Sequence, residues 1–230
     1  MKRRRAIEKG IKARSNERCK RGVMKNFLAV DTSGSYLTVV AVKNGKAFSS
    51  FIENCAMKHS VSLMTAVDEA LKKAELSLDE CDFFASVVGA GSFTGIRIGI
   101  SVAKGFCSAC NKPSLPITSF DVAAYNTVGG KLLCIVDALH DCYYACGYED
   151  GEVVYPPAYL TEEEVLALVE SGYKLVSCQS APIAKKTELC LVDPVAGLEK
   201  AAIALAAKNA FAPLTAVYVR KSSAEINLEK

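Results

Sequence analysis

Two apolar runs end in an aspartate followed by a turn and a second apolar run, and the copies lie 106 residues apart. "FLAVD" closes on Asp31 and "LLCIVD" on Asp137; "YLTVVAV" and "CYYACGY" follow, and then Asn44-Gly45 and Asp150-Gly151. Asn-Gly and Asp-Gly between apolar runs specify two-residue hairpins, because both central residues take positive φ. Side-chain identity is otherwise low, so the repeat is one of pattern: strand, aspartate turn, strand, hairpin. Its gapless register favours duplication over a coincidence of apolar strands, and predicts an α/β chain of two related βββαβα-type lobes.

The stretches between the copies fit that plan. Leu63, Met64, Val67, Leu71 and Ala74 recur on one face of a helix from about His59 to Glu75, with Asp68, Glu69, Lys72 and Lys73 largely opposite. "FFASVV" (83–88) reads as a buried strand, then comes a glycine-rich turn and a second helix to about Cys110, ended by Pro113 and Pro116. The second half continues with a helix near Thr161–Glu170, a strand "YKLVSCQ", a helix near Ala196–Lys208 and an extended "PLTAVYVR".

Half of the residues are hydrophobic and 23% charged, which excludes a disordered or fibrous chain. No run reaches the roughly 18 to 20 apolar residues of a membrane span, and no secretory h-region follows the charged start, so the expected setting is cytoplasmic. The net charge of +3 is divided: residues 1–23 carry +8 and the remainder −5. The basic segment reads either as an RNA-binding arm or as a solvated leader before a fold that begins near Met24. Ten cysteines in a chain of this length and setting are expected to be reduced and mostly buried. Cys107 and Cys110 form a lone C-x-x-C, with no second pair or suitably spaced histidines to complete a zinc site.

Three features bear on chemistry. Turns after Asp31 and Asp137 could cradle phosphates while the carboxylate orients a hydrated Mg²⁺, or each aspartate could cap its own turn; the pattern favours capping at Asp137 and leaves Asp31 open. Gly89 to Gly99 bridges a strand and a helix N-terminus. It is neither a Walker loop nor a dinucleotide fingerprint, and it reads as an anion site (Asp31, Ser33, Gly91, Ser92, Thr94, Gly95) or as a tight turn capped by Ser92 or Thr94. Gly95, Gly99, Ala103 and Cys107 then recur every four residues, a small-residue stripe that lets a second element approach closely, either the chain's own sheet or a partner. His59 and His140 make no metal pair, no serine nucleophile motif is present, and no catalytic or metal-binding constellation emerges.

"GAGSFTGIRIGISVAKGF" (89–106) closely resembles the signature of the TsaB (YeaZ) family. "MKNFLAVDTSGSYLTVVAV", "KHSVSLMTAVDEAL", "CIVDALHDCYYACGY" and "PLTAVYVRKSSAE" are similar to its N-terminal strands, first helix, second lobe and C-terminal ending. Ala90 stands where the family usually has Pro, and Leu139 where it often has Arg. The resemblance implies an actin-like ATPase fold without the metal pair of TsaD-like proteins, since Ser119 and Ala123 occupy the comparable positions. It implies a non-catalytic subunit that pairs with TsaD through helices 59–75 and 95–110 and works with the ATPase TsaE. The complex transfers threonylcarbamoyl to adenosine 37 of ANN-decoding tRNAs, so tRNA is met indirectly; the chain alone is expected to self-associate through the same surface. No tightly bound cofactor is expected, and at most weak ATP or ADP binding.

The expectations are therefore a leader over 1–23, a first lobe over 24–122 and a second over 123–230. The expected partner interface comprises His59, Leu63, Val67, Leu71, Gly95, Gly99, Ala103 and Cys107, so that Gly99→Arg or Ala103→Arg abolishes partner binding in a folded monomer. The alternative is an ATP-dependent phosphotransferase or hydrolase using Asp31 and the 89–95 loop.

Overall fold

The computed structural model describes residues 26–127 and 129–220; the basic segment, Met24 and the last five residues of "PLTAVYVRKSSAE" lie outside the described residues. The first sheet contains β1 (Phe27–Asp31), β2 (Leu37–Lys43), β3 (Lys46–Ile52), β4 (Phe83–Val87) and β5 (Ser114–Ile117), in the order β3-β2-β1-β4-β5. The second contains β6 (Lys131–Asp137), β7 (Cys142–Glu149), β8 (Glu152–Thr161), β9 (Lys174–Ser177) and β10 (Cys190–Leu191), in the order β10-β9-β6-β7-β8. Read from its other end, the second order repeats the first strand for strand. In both, an antiparallel meander lies on one side of the central strand and parallel strands on the other.

The hairpins repeat as well. Asn44 and Gly45 take φ of 53° and 77°, Asp150 and Gly151 51° and 77°, and the pairs Lys43–Lys46 and Glu149–Glu152 flank them. The duplication read from spacing is present as topology, two five-stranded α/β halves of matching strand order.

β1 is buried along its whole length. Leu28 and Val30 face a layer formed by α1 (His59–Ala74) and α2 (Phe93–Cys110), whereas Phe27 and Ala29 face the opposite side. A strand covered on both faces needs a continuous apolar run rather than alternation, which is what "FLAV" supplies. α1 buries Leu63, Ala66, Val67, Ala70 and Ala74, the helical spacing that lays one stripe on β2 and β3. On the second sheet, α3 (Ser119–Ala124) covers one face and α4 (Glu162–Glu170), capped by Thr161, the other.

Two expectations change. The helix read as the last of the second lobe, α5 (Pro194–Ala207), packs Leu198, Ala201, Ala202 and Ala206 on the far face of the first sheet. It is apolar nearly all round, so its own sequence does not choose a sheet. The proline segment gains a strand: α2 ends at Cys110 as expected, ahead of Pro113, but Ser114–Ile117 is then a strand, with Pro116 opposite Ser86. β5 ends its sheet, and a proline lacking a donor is tolerated on an edge strand.

Candidate functional site

Asp31 sits at the end of β1 and is buried. Its Oδ1 accepts the Ser33 N–H at 2.8 Å and the Ser33 hydroxyl at 2.6 Å, while the Tyr36 hydroxyl donates to Oδ2 at 3.2 Å. Burial raises its pKa above the ordinary carboxylate value, opposed by those hydrogen bonds and by nearby His59. Asp137 makes the matching bond, accepting the Leu139 N–H at 2.8 Å, from an exposed position. Each aspartate caps its own turn. Asp31 presents no exposed carboxylate to the cleft.

The glycine-rich loop packs where an anion would have to sit. Gly89 and Gly91 have φ of 136° and 146°, and a Cβ on Gly91 would lie 2.4 Å from the Ser33 carbonyl oxygen. Ser92 N–H donates to that oxygen at 2.7 Å, and Ser92 Oγ accepts the Gly95 N–H at 3.2 Å. Ser92, not Thr94, is therefore the N-cap of α2. Two donors that an anion would use are taken by the protein itself.

A cleft of about 400 Å³ runs between the two halves. Ser33, Gly91 and Ser92 reach it from the expected phosphate set, together with Asp137 and Ser119; Asp31, Thr94 and Gly95 do not. Gln179 crosses it from beyond β9, accepting from Ser35 Oγ at 2.7 Å and Ser35 N at 3.2 Å. A Cβ on Gly34 would meet its Nε2 at 2.1 Å. Beside apolar residues such as Ile135, Val136 and Leu139, the lining offers serines, Tyr36, an amide and a carboxylate, with no Lys, Arg or His among the described residues that form it. Such a surface gives a triphosphate no counter-charge.

The small-residue stripe faces inward. Gly95, Gly99 and Ala103 are buried; a Cβ on Gly95 would lie 2.0 Å from the Thr32 carbonyl oxygen, and one on Gly99 2.6 Å from Thr32 Oγ1. Thr32 Oγ1 in turn donates to the Gly95 carbonyl at 2.7 Å. These glycines let α2 rest directly on the turn after β1. His59, Leu63 and Val67 are buried too, with His59 Nε2 2.9 Å from the Tyr36 carbonyl oxygen, and Leu71 and Cys107 are half-buried. The expected interface residues are thus chiefly core, and Gly99→Arg or Ala103→Arg should unfold the chain rather than spare it. Close approach was correctly read from the stripe; its partner is the chain's own sheet.

What the helices show outward is different. Met57 (95% exposed), Val61 (79%) and Met64 (46%) stand along the start of α1, and Phe93 (39%) opens α2, the neighbouring helix on the same face of the sheet. Met64 had been placed on the buried face; it stands one residue beyond the stripe, and that excess apolar width was the available signal. Val61, Gln179 and the segment 214–220 carried no pattern that marks a site. Burial raises the thiol pKa of Cys107 to about 11 and raises that of Cys110, so both stay protonated. Among the described residues no group of three or more His, Cys, Asp or Glu could hold a metal ion, and no helix is long and apolar enough to cross a membrane.

Residues 53–181, more than half of the chain, match the family model of TsaD, tRNA N6-adenosine threonylcarbamoyltransferase. The chain is similar to the tRNA threonylcarbamoyladenosine biosynthesis protein TsaB of Buchnera aphidicola subsp. Schizaphis graminum, at 31% identity over 98 residues (43% of this chain, 46% of that one). It is also similar to a tRNA N6-adenosine threonylcarbamoyltransferase of Kosmotoga olearia, at 31% identity over 105 residues (39% and 32%). The chain thus matches less than half the length of these curated relatives. Among solved structures, YeaZ from Pseudomonas aeruginosa superposes with a TM-score of 0.69 at 24% identity, covering 85% of this chain and 100% of that one, which establishes the shared fold.

Proposed function

The chain belongs to the TsaB (YeaZ) family, related to TsaD, and from that premise we propose that it is a non-catalytic scaffold subunit in tRNA threonylcarbamoyladenosine biosynthesis. It docks a TsaD-like transferase through the outward faces of α1 and α2 and meets tRNA only through the complex, in which TsaE is the ATPase. In isolation it pairs with itself through the same face.

The observation that carries this reading is the exposed apolar group of Val61 and Met64 on α1 and Met57 in the turn before it, with Phe93 exposed at the start of the neighbouring helix. Clustered exposed apolar side chains on a stable surface mark interaction sites. The expected helices are kept as the interface, but the contacting side chains are the outward ones rather than the buried stripe. The phosphotransferase alternative gains no support, because Asp31 is buried and none of the described residues lining the cleft is cationic.

The test is a calorimetric titration of the chain with the TsaD-like protein of the same organism. Val61→Glu and Met64→Glu should each weaken binding at least about tenfold, the scale of a 1.4 kcal/mol loss, with an unchanged melting temperature. Binding unaffected by both would place the interface elsewhere.

A further inference from the structure

After α5 the chain turns back and crosses the molecule in extended form, without joining either sheet. Leu214 is buried in the core under α1 and α2. Val217 N–H donates to the Val88 carbonyl at 2.7 Å, and its own carbonyl oxygen passes so close to Gly89 that a Cβ there would lie 2.3 Å away. Tyr218 stacks on Phe93 with ring centres 4.5 Å apart, and its hydroxyl accepts from Arg97 Nε at 2.9 Å. The Arg97 guanidinium lies 3.9 Å from the centre of the Phe93 ring. The next two residues belong to the second half: Val219 packs into the core between α3 and the second sheet, and Arg220 Nη1 donates to the Tyr159 hydroxyl on β8 at 2.9 Å.

Consecutive residues of one segment therefore grip the first core, the glycine-rich loop, the head of α2 and the second sheet. We infer that Leu214–Arg220 is a strap that ties the two halves together and positions Phe93 and Arg97 on the outward face of α2. Tyr218 is the positioning residue and Arg220 the far anchor. The consequence for partner docking rests on the function proposed above; the strap itself does not. Phe93 and Arg97 are exposed, and an exposed aromatic and guanidinium keep one geometry only where a neighbour restricts them. Tyr218 is that neighbour, and it is held in turn by the bonds on either side of it.

Hydrogen exchange of the full chain, read by mass spectrometry, tests this. Arg220→Ala removes an exposed side chain whose bond is to Tyr159 on β8 rather than to α2, and leaves the cores intact. Exchange should rise about threefold or more in 89–97 as well as at the strap, the scale of losing an exposed cation–aromatic pair, with α4 and β6 unchanged. Tyr218→Ala should produce the same rise in 89–97. A rise confined to 218–220 and Tyr159, or none, would overturn the strap. Affinity for the TsaD-like protein, measured on the same variants, should fall in parallel. Wild-type chain that does not bind that protein contradicts the docking reading alone and leaves the exchange result to decide the strap.

Discussion

Asp31 is a carboxylate whose surroundings disfavour its charge. Its folded pKa is raised, chiefly by burial, so the native state holds the proton more tightly than the unfolded chain does. The sign follows: this residue's contribution is most favourable below the unfolded pKa, near the model-peptide value of about 3.9, and is lost as pH rises through the folded one. Asp31→Asn keeps an oxygen for the Ser33 N–H and removes the buried charge. Thermal melts should show the variant gaining stability over wild type at pH 8 and losing that gain at pH 4. A gain independent of pH would mean that the charge is not what burial penalises. At Gly99 the physics is steric. Even Gly99→Ala forces a methyl to 2.6 Å from Thr32 Oγ1, so a melt should show destabilisation of about 1 to 3 kcal/mol, the usual cost of overpacking. A neutral Gly99→Ala would contradict the inward orientation of the stripe.

At the scale of elements, the legible parts were those whose local chemistry permits one geometry. Asn44-Gly45 and Asp150-Gly151 require positive φ at both residues, and the spacing of Leu63, Val67 and Ala74 fits only a helix. Ser92 and Thr161 cap helices because their hydroxyls accept orphan N–H groups. The illegible parts were those in which sequence constrains a relation without naming its partner. Gly95 and Gly99 require close approach, but by what is decided in three dimensions, and Thr32 answers. α5 is apolar on most sides and could lie on either sheet. Pro116 resembles a breaker until its strand is seen at the edge. The strap has no period at all, since its contacts fall on unlike neighbours: Leu214 in the first core, Tyr218 on Phe93 and Arg220 on Tyr159. The proposed docking face lies on the helices the sequence points to, but its outward side chains are not legible there: periodicity puts Met64 in the buried set, and Val61 carries no mark. Swapping Val61 or Met64 for Glu places a charge on the outward face, which should leave far-ultraviolet circular dichroism unchanged while weakening partner binding.

Across the whole molecule, the duplicated halves enclose a cleft that the chain largely satisfies with its own groups. Gln179 reaches from one half to Ser35 in the other, and α5 and the strap cross between them. A ligand at a hundredfold excess over its dissociation constant stabilises its host by about 2.7 kcal/mol. Millimolar ATP with Mg²⁺ should raise the melting temperature little, because none of the described residues lining the cleft is cationic. A rise of several degrees would restore the cleft as a nucleotide site. The scaffold reading itself stands on association. Light scattering of the full chain, alone and mixed in equal amounts with the TsaD-like protein of the same organism, measures it most directly. The reading predicts that a self-associated species is replaced by a one-to-one complex, and that Val61→Glu weakens both. Two proteins that keep their separate masses in the mixture would contradict it.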